Sequence, residues 1–317
     1  MAYPTPAVTV TTADKFIPDI WSDEIVAAYK KNLVLANLVM KMNFKGKKGD
    51  TVHIPAPTRG SASAKAAETA VTLIAATESE VTVSINKHYE YSRLIEDIVE
   101  AQALNSMRQF YTADAGYALA RQVDTDLVRL GRVANGGTAG ARYDTAYIGG
   151  DGTTTFDYTA NTNTGNASAL TDAAIRRTIQ RLDDNDTPMD NRFFIIPPSS
   201  RNTLMGLARY TEQAFVGTGD AIRTGEIGNL YGIPVFTSSN ADTGAGNSTT
   251  DRICLMGHKD SMVLVEQIGI RSQTQYKQDY LATLFTSDTL YGVAALRAAA
   301  TTGAALSSSA FALAVPA

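Results

Sequence analysis

The sequence predicts an α+β chain made of an extended β-hairpin, one very long helix and a compact α/β section. Three observations carry this reading. Two period-2 runs flank an Ala-, Ser- and Thr-rich stretch at residues 58–80. A helical stripe of apolar residues then runs from about residue 92 to residue 130. From Thr171 onward, capped helices alternate with short apolar strands.

Taken in order, residues 1–17 are rich in Pro, Thr and Val without periodicity, which predicts an extended arm. After Pro18 an amphipathic stretch spans about residues 19–40, with Trp21, Ile25, Val26, Tyr29, Leu33 and Leu38 mostly three or four apart. Lys30, Lys31, Lys41, Lys45, Lys47 and Lys48 fall between Glu24 and Asp50 with no acid among them. They read either as a solvated face or as an electrostatic docking strip for another subunit. Residues 50–56 form the first hairpin strand, with Val52 and Ile54 on one side. Its partner is the run Val81, Val83, Ile85, Lys87, Tyr89, Tyr91. A loop as long as the one between them implies a function of its own.

The helical stripe comprises Ile95, Val99, Ala103, Met107, Phe110, Tyr111, Ala115, Leu119, Val123, Leu127 and Leu130. Glu96, Asp97 and Glu100 would lie in its first turns, where the helix dipole favours anions. Gly131 is the expected stop, Gly116 a point where the helix bends or divides, and the length about 60 Å. Residues 135–166 read as an irregular loop or short hairpin. Thr171 and Asp172 then cap a helix carrying Ile175, Ile179 and Leu182, and residues 192–197 form a strand. Ser199 or Ser200 caps a second helix through Leu204, Leu207 and Tyr210. Val235-Phe236, residues 252–256 and residues 262–270 are strands. The tail alternates through Leu284, Thr286 and Leu290, and a short strand with a loose terminus closes it.

Composition narrows the function. Hydrophobic residues at 44% suffice for a core, and a net charge of −4 disfavours a protein that grips phosphate backbones. No apolar run approaches the roughly 20 residues of a membrane span, and no signal peptide is legible. Cys254, the single cysteine, lies in an apolar run and reads as core. The histidines, His53, His88 and His258, are far apart and lack a second ligand at metal-binding spacing. Asp183, Asp184, Asp186 and Asp190 lack the Gly and Glu of a calcium loop. Gly225, Gly228 and Gly232 precede a strand, whereas a dinucleotide site needs them after one. Neither a phosphate-binding loop nor a nucleophile elbow is present. The expectation is a chain with no catalytic, cofactor or metal site.

The order of parts resembles the tailed-bacteriophage major capsid protein family, the Hong Kong 97 fold, over roughly residues 15–300. The segment at 225–240, reading Gly-Glu-Ile-Gly-Asn-Leu-Tyr-Gly-Ile-Pro-Val-Phe-Thr-Ser-Ser-Asn, is similar to a recurring family phrase. In that phrase a short apolar turn with Gly leads into a strand ending in Ser. Phe194-Ile195-Ile196-Pro197-Pro198 and Ile253-Cys254-Leu255-Met256-Gly257-His258-Lys259 match the axial lobe of the same family. The resemblance implies an N-terminal arm and helix (1–45), an extended loop (46–91), a peripheral domain with spine helix and insertion (92–170), an α/β axial domain (171–255), and a return to the peripheral domain with the tail (256–317).

The implied function is a major capsid protein that assembles into the icosahedral shell around phage double-stranded DNA. Its partners would be copies of itself in pentamers and hexamers, a portal, a decoration protein, and a separate scaffolding protein, since no scaffolding region precedes the arm. The implied location is the virion, with assembly in the bacterial cytoplasm. Trp21, Lys41, Lys45, Lys47, Lys48, Arg59, Lys65, Glu90, Glu96, Asp97 and Glu100 are the expected assembly-interface residues. The lysine strip would dock on the acids. Some family members crosslink through a Lys–Asn bond. Lys65 is the one lysine between Arg59 and Glu80, and a lysine in so small and solvated a setting stays protonated and unreactive. A non-covalent shell is therefore expected. The rival readings are an encapsulin-type compartment of the same fold, a fibre or adhesin (which should show internal repeats, and none is found), and an α/β enzyme, which lacks paired catalytic groups.

Overall fold

The computed structural model describes residues 34–46, 48–56, 60, 62–71, 73, 80–98, 107–134, 147–152, 167–207, 228–240, 251–296 and 309–316. Two sheets and a small hairpin are arranged about one long helix. A four-stranded sheet has the order β1-β10-β11-β4, from Met40–Asn43, Met262–Lys277, Ala282–Ala295 and Lys87–Glu96. A six-stranded sheet has the order β5-β12-β9-β6-β8-β7, from Tyr147–Gly149, Ala310–Pro316, Asp251–His258, Arg192–Ile196, Ile233–Thr237 and Asn229–Leu230. The hairpin pairs β2 (Thr51–Pro55) with β3 (Glu80–Ser84). The described helices include α1 (Leu35–Leu38), the spine helix α2 (Met107–Ala134), α3 (Asp172–Asp184) and α4 (Pro198–Met205).

Burial explains the layering. β6 is buried at all five positions, as a strand covered on both faces must be. Its Phe194 and Ile196 meet Ile175 and Leu182 of α3 and Leu204 of α4. Phe193 and Ile195 face the other way, onto Leu127 and Val128 of the spine helix. Each such side chain is worth about 1.5–3 kcal/mol when fully buried. The same helix covers Met262, Leu264 and Tyr291 of the four-stranded sheet, so it joins the two sheets. On that sheet's opposite face Val263 and Val265 pack under Val52, Val83 and Ile85, the root of the hairpin.

Several expectations are corrected. Of the amphipathic stretch, residues 19–33 lie outside the described residues, and its helix ends at Leu38. Val39 is extended, and Met40 and Met42 alternate with Lys41 and Asn43 as β1. The second hairpin strand divides at Ile85-Asn86: β3 pairs with β2, whereas β4 leaves to pair with β11 from Lys87↔Tyr291 to Glu96↔Ala282. Glu96 therefore ends a strand; Asp97 and Ile98 after it are helical, and the long helix is described from Met107. Pairing along β11 satisfies the backbone over these ten residues and outweighs their partial helical periodicity.

Nor does Gly131 stop the spine helix, which continues to Ala134. Its missing side chain admits Leu255, whose Cδ2 lies 2.7 Å from where a Cβ would stand. The helix passes Gly116 without a break. α4 starts at Pro198 with Pro197 as its cap, so neither Ser199 nor Ser200 caps it, and Leu207 lies past its end. Tyr210 lies outside the described residues. Part of the expected insertion is an edge strand, because β5 pairs in parallel with β12. The expected short terminal strand is β12, fully buried from Ala310 to Val315 between β5 and β9. Its Phe311, Leu313 and Val315 face the α3 and α4 layer, and Ala312 and Ala314 the other side. Of the two expected caps Thr171 holds the position, with the Ala174 amide donating to Thr171 Oγ1 at 3.2 Å, and Asp172 is the first residue of the helix.

Candidate assembly surfaces

The titratable groups that could have suggested chemistry have structural partners. The Cys254 thiol is buried, 3.4 Å from Ser200 Oγ, and burial pushes it up to about 12, so it stays an unreactive thiol. His53 lies 3.1 Å from Glu80 across the hairpin, and His88 lies 3.2 Å from Asp288. His258 Nδ1 accepts from the Asp260 amide at 3.1 Å. Among the described residues no three His, Cys, Asp or Glu side chains gather where a metal would sit.

Two elements project from the packed layers. The first is the extended loop beyond β2 and β3. Its described residues are exposed throughout, including Val71 at 67% and Leu73 at 89%. One turn within it is ordered: Thr69 Oγ1 donates to the Ala66 carbonyl at 2.7 Å, and Glu68 adopts a left-handed φ of 62°.

The second is a three-stranded tongue formed by β4 and the outer halves of β10 and β11. β10 is buried from Met262 to Val265 but exposed from Ile270 to Tyr276, after two register shifts. Beside the backbone ladders, side-chain rungs join the strands there. Arg271 Nε and Nη2 donate to the Asp288 carboxylate at 2.7 and 2.8 Å, and that pairing holds Asp288 below the usual carboxylate range. Tyr276 OH donates to Asp97 Oδ2 at 2.7 Å. The end of the tongue carries exposed Leu94, Ile98, Tyr276, Tyr280 and Leu281, the last in a left-handed turn.

The expected interface residues are dispersed over these surfaces. Lys41, on β1, donates from Nζ to Asn37 Oδ1 at 3.1 Å, and Lys45 Nζ lies 3.8 Å from Glu266. Lys48 and Lys65 are exposed, and Glu90 and Glu96 lie along the open edge of β4. Asp97 stands at the tongue's end and binds Tyr276. Trp21, Lys47, Arg59 and Glu100 fall outside the described residues. Within the chain the lysines meet Asn37 and Glu266; no Lys41 or Lys45 contact to Glu90, Glu96 or Asp97 is found among the described residues.

Sequence reasoning missed a buried polar junction. Asp124, midway along the spine helix, accepts from the Leu35 and Ala36 amides at 2.9 and 3.3 Å through Oδ1, and from Asn240 Nδ2 at 3.0 Å through Oδ2. It ties α1, the spine helix and the turn after β8 together. Burial pushes its carboxyl up while these donors oppose the shift. Two positions on, Asp126 accepts from Tyr291 OH at 2.8 Å and pairs with Lys87 Nζ at 3.1 Å. An acid inside an apolar helical stripe was the available signal.

Beside this junction is a groove of about 220 Å³ between α1, the spine helix and the β10–β11 sheet, lined by Ala36, Ala120, Val123, Leu264, Ile270 and Tyr291, with Lys41 and Glu266 among its polar groups.

A family profile described as phage capsid protein matches residues 22–303. A search of curated proteins returns no match. Among solved structures, a chain from Mycobacterium phage Che8 superposes with a TM-score of 0.72 at 21% identity, over 95% of this chain and 97% of that one. The capsid of the cyanophage P-SCSP1u gives 0.71 at 20% identity, over 96% and 94%. The capsid of a native GTA particle gives 0.66 at 10% identity, over 99% and 100%.

Proposed function

This chain belongs to the phage capsid protein family and is a shell-forming structural protein with the Hong Kong 97 fold, and from that premise we propose that its copies join in pentamers and hexamers to close an icosahedral shell around double-stranded DNA. The observation that carries the proposal is the apolar surface on the two projecting elements. Val71, Leu73, Leu94, Ile98, Tyr280 and Leu281 are exposed there among the described residues. Exposed apolar groups gathered on projections mark contact with a partner, and in a shell the partner is another copy. The partners that go with this reading are a scaffolding protein and a portal during assembly in the bacterial cytoplasm, and a decoration protein outside. DNA is enclosed and not gripped, in keeping with the net charge of −4.

The lysines retain their proposed docking role toward acids of a neighbouring copy. Exposed ion pairs are worth about 0–1 kcal/mol each, but a closed shell repeats each one many times. Reversing Lys45, Lys47 and Lys48 to Glu should lower the yield of particles in negative-stain images while circular dichroism stays that of the folded subunit. Normal shells from this variant would remove the lysines from the interface. The reading as a whole rests on sedimentation and microscopy of the expressed chain with its scaffold. Rings or shells are the expected result, and a lone 34 kDa species at micromolar concentration would overturn it.

A further inference from the structure

We propose that the face of the subunit bearing the spine helix lines the inside of the shell, where Arg121 and Arg129 touch phosphates of the packaged duplex. This rests on the shell reading and names a contact made by the contents of the shell. What carries it is a separation of charge across the thickness of the chain.

The spine helix covers both sheets from one side. From the other side α3 and α4 cover the six-stranded sheet, and the hairpin root covers the four-stranded one. The chain thus has a spine face and an opposite face. Alternation along β4 sorts its charges between the two. Lys87, Tyr91 and Arg93 turn toward the spine helix. Lys87 pairs with Asp126, Tyr91 OH donates to Asp114 Oδ2 at 3.0 Å, and the Arg93 guanidinium lies 4.9 Å from the centre of the Tyr111 ring. Glu90 and Glu96, at even positions of the same unbroken register, therefore turn to the opposite face. There α3 and the turn after it also expose Asp184, Asp186 and Asp190. These acids outnumber the exposed Arg177, while Arg176 is taken up by Asp172 at 2.9 Å.

The spine face has the other sign. Its helix exposes Arg121 and Arg129, eight positions apart and so about 12 Å along the axis. Neither pairs with an acid among the described residues. The helix's own acids are all engaged: Asp114 by Tyr91, Asp124 by the α1 amides and Asn240, Asp126 by Lys87 and Tyr291. Glu266, on the sheet beneath, lies 3.8 Å from Lys45. Exposed arginines without an acid fit phosphate, because the guanidinium fork matches its oxygens and stays charged at any physiological pH. Each phosphate neutralised in this way releases condensed counterions. Two such contacts per copy hold DNA weakly, in keeping with a net charge of −4 for the whole chain.

Modification of arginine by phenylglyoxal, read by mass spectrometry, tests this on particles of the unaltered chain. Arg121 and Arg129 should react several-fold more slowly in DNA-filled particles than in particles emptied of DNA. Arg177, on the opposite face, should react alike in both. Fast reaction of Arg121 and Arg129 in both kinds of particle would overturn the proposal. Slow reaction in both would overturn it too, in favour of a protein surface covering the helix. Protection of Arg177 by DNA would reverse the two faces. The Arg121→Glu, Arg129→Glu variant gives a second readout, since both positions are exposed and the subunit should fold. Empty shells should form in normal yield, and the share of DNA-filled ones should fall. Unchanged filling sinks the contact, and a loss of empty shells would assign the arginines to a subunit interface instead. Failure of the unaltered chain to form shells would refute the proposed function itself.

Discussion

At the residue scale Asp124 shows how one carboxylate fixes the relation of three segments. Replacing it with Ala would leave the Leu35 and Ala36 amides and the Asn240 side-chain amide without their acceptor inside a buried junction. An unsatisfied buried donor costs about 1–3 kcal/mol, and partial access of water to the loosened α1 reduces the sum. Asp124→Ala should therefore lower stability by about 2–4 kcal/mol in urea denaturation of the unassembled subunit, whereas Asp184→Ala, at an exposed helix end, should change it by less than about 0.5. A loss at Asp124 no larger than that control would show the junction to be dispensable. The sequence made the neighbours Val123 and Leu127 legible as stripe members. An acid inside that stripe hinted at Asp124 without placing its partners, because the groups that make burial of an acid tolerable lie 89 and 116 positions away.

Among the elements, local signals succeeded where one face or one cap decided the structure, and failed where a distant strand did. Thr171 capping α3 and the uniform apolar run of β6 were legible because a short window contains their causes. Residues 92–96 fit both a helical and an alternating pattern, and only pairing with β11 decides between them. Alanine-rich β12 was underestimated because its burial depends on β9 and β5, remote in sequence. Where β11 crosses the root of the hairpin, Gly292 has its missing Cβ position 2.5 Å from the Ser84 carbonyl oxygen. Backbone on both sides cannot yield as a side chain tip would, so Gly292→Ala should cost about 1–3 kcal/mol and loosen the hairpin. Faster hydrogen exchange at the Ile85 amide, which now donates to the Asp50 carbonyl at 2.7 Å, is the expected sign. An unchanged exchange rate there would show that the crossing is slack.

For the whole molecule, the division between packed layers and projections separates what folds the subunit from what joins subunits. The described loop residues from Gly60 to Leu73 are exposed, and the pairing of β2 with β3 does not involve them. Deleting residues 60–77 should leave subunit stability within about 0.5 kcal/mol, since shortening a loop costs little. Particle closure should be lost. A deletion variant that fails to fold would mean that the loop packs within its own subunit. The shell-forming class was legible from the order of parts. The surfaces were less so, because exposure is a property of the assembled layers and not of any window of sequence. The place of β12 adds a matter of timing. It lies between β9 and β5 in the sheet, yet it is synthesised after every other strand there. Until residues 310–316 leave the ribosome, β9 has a bare edge and β5 has no sheet to join. A nascent chain therefore cannot present a finished six-stranded lobe to its neighbours. Translation itself thus delays recruitment into a particle, and a polypeptide broken off before β12 is left with an open strand edge prone to aggregation.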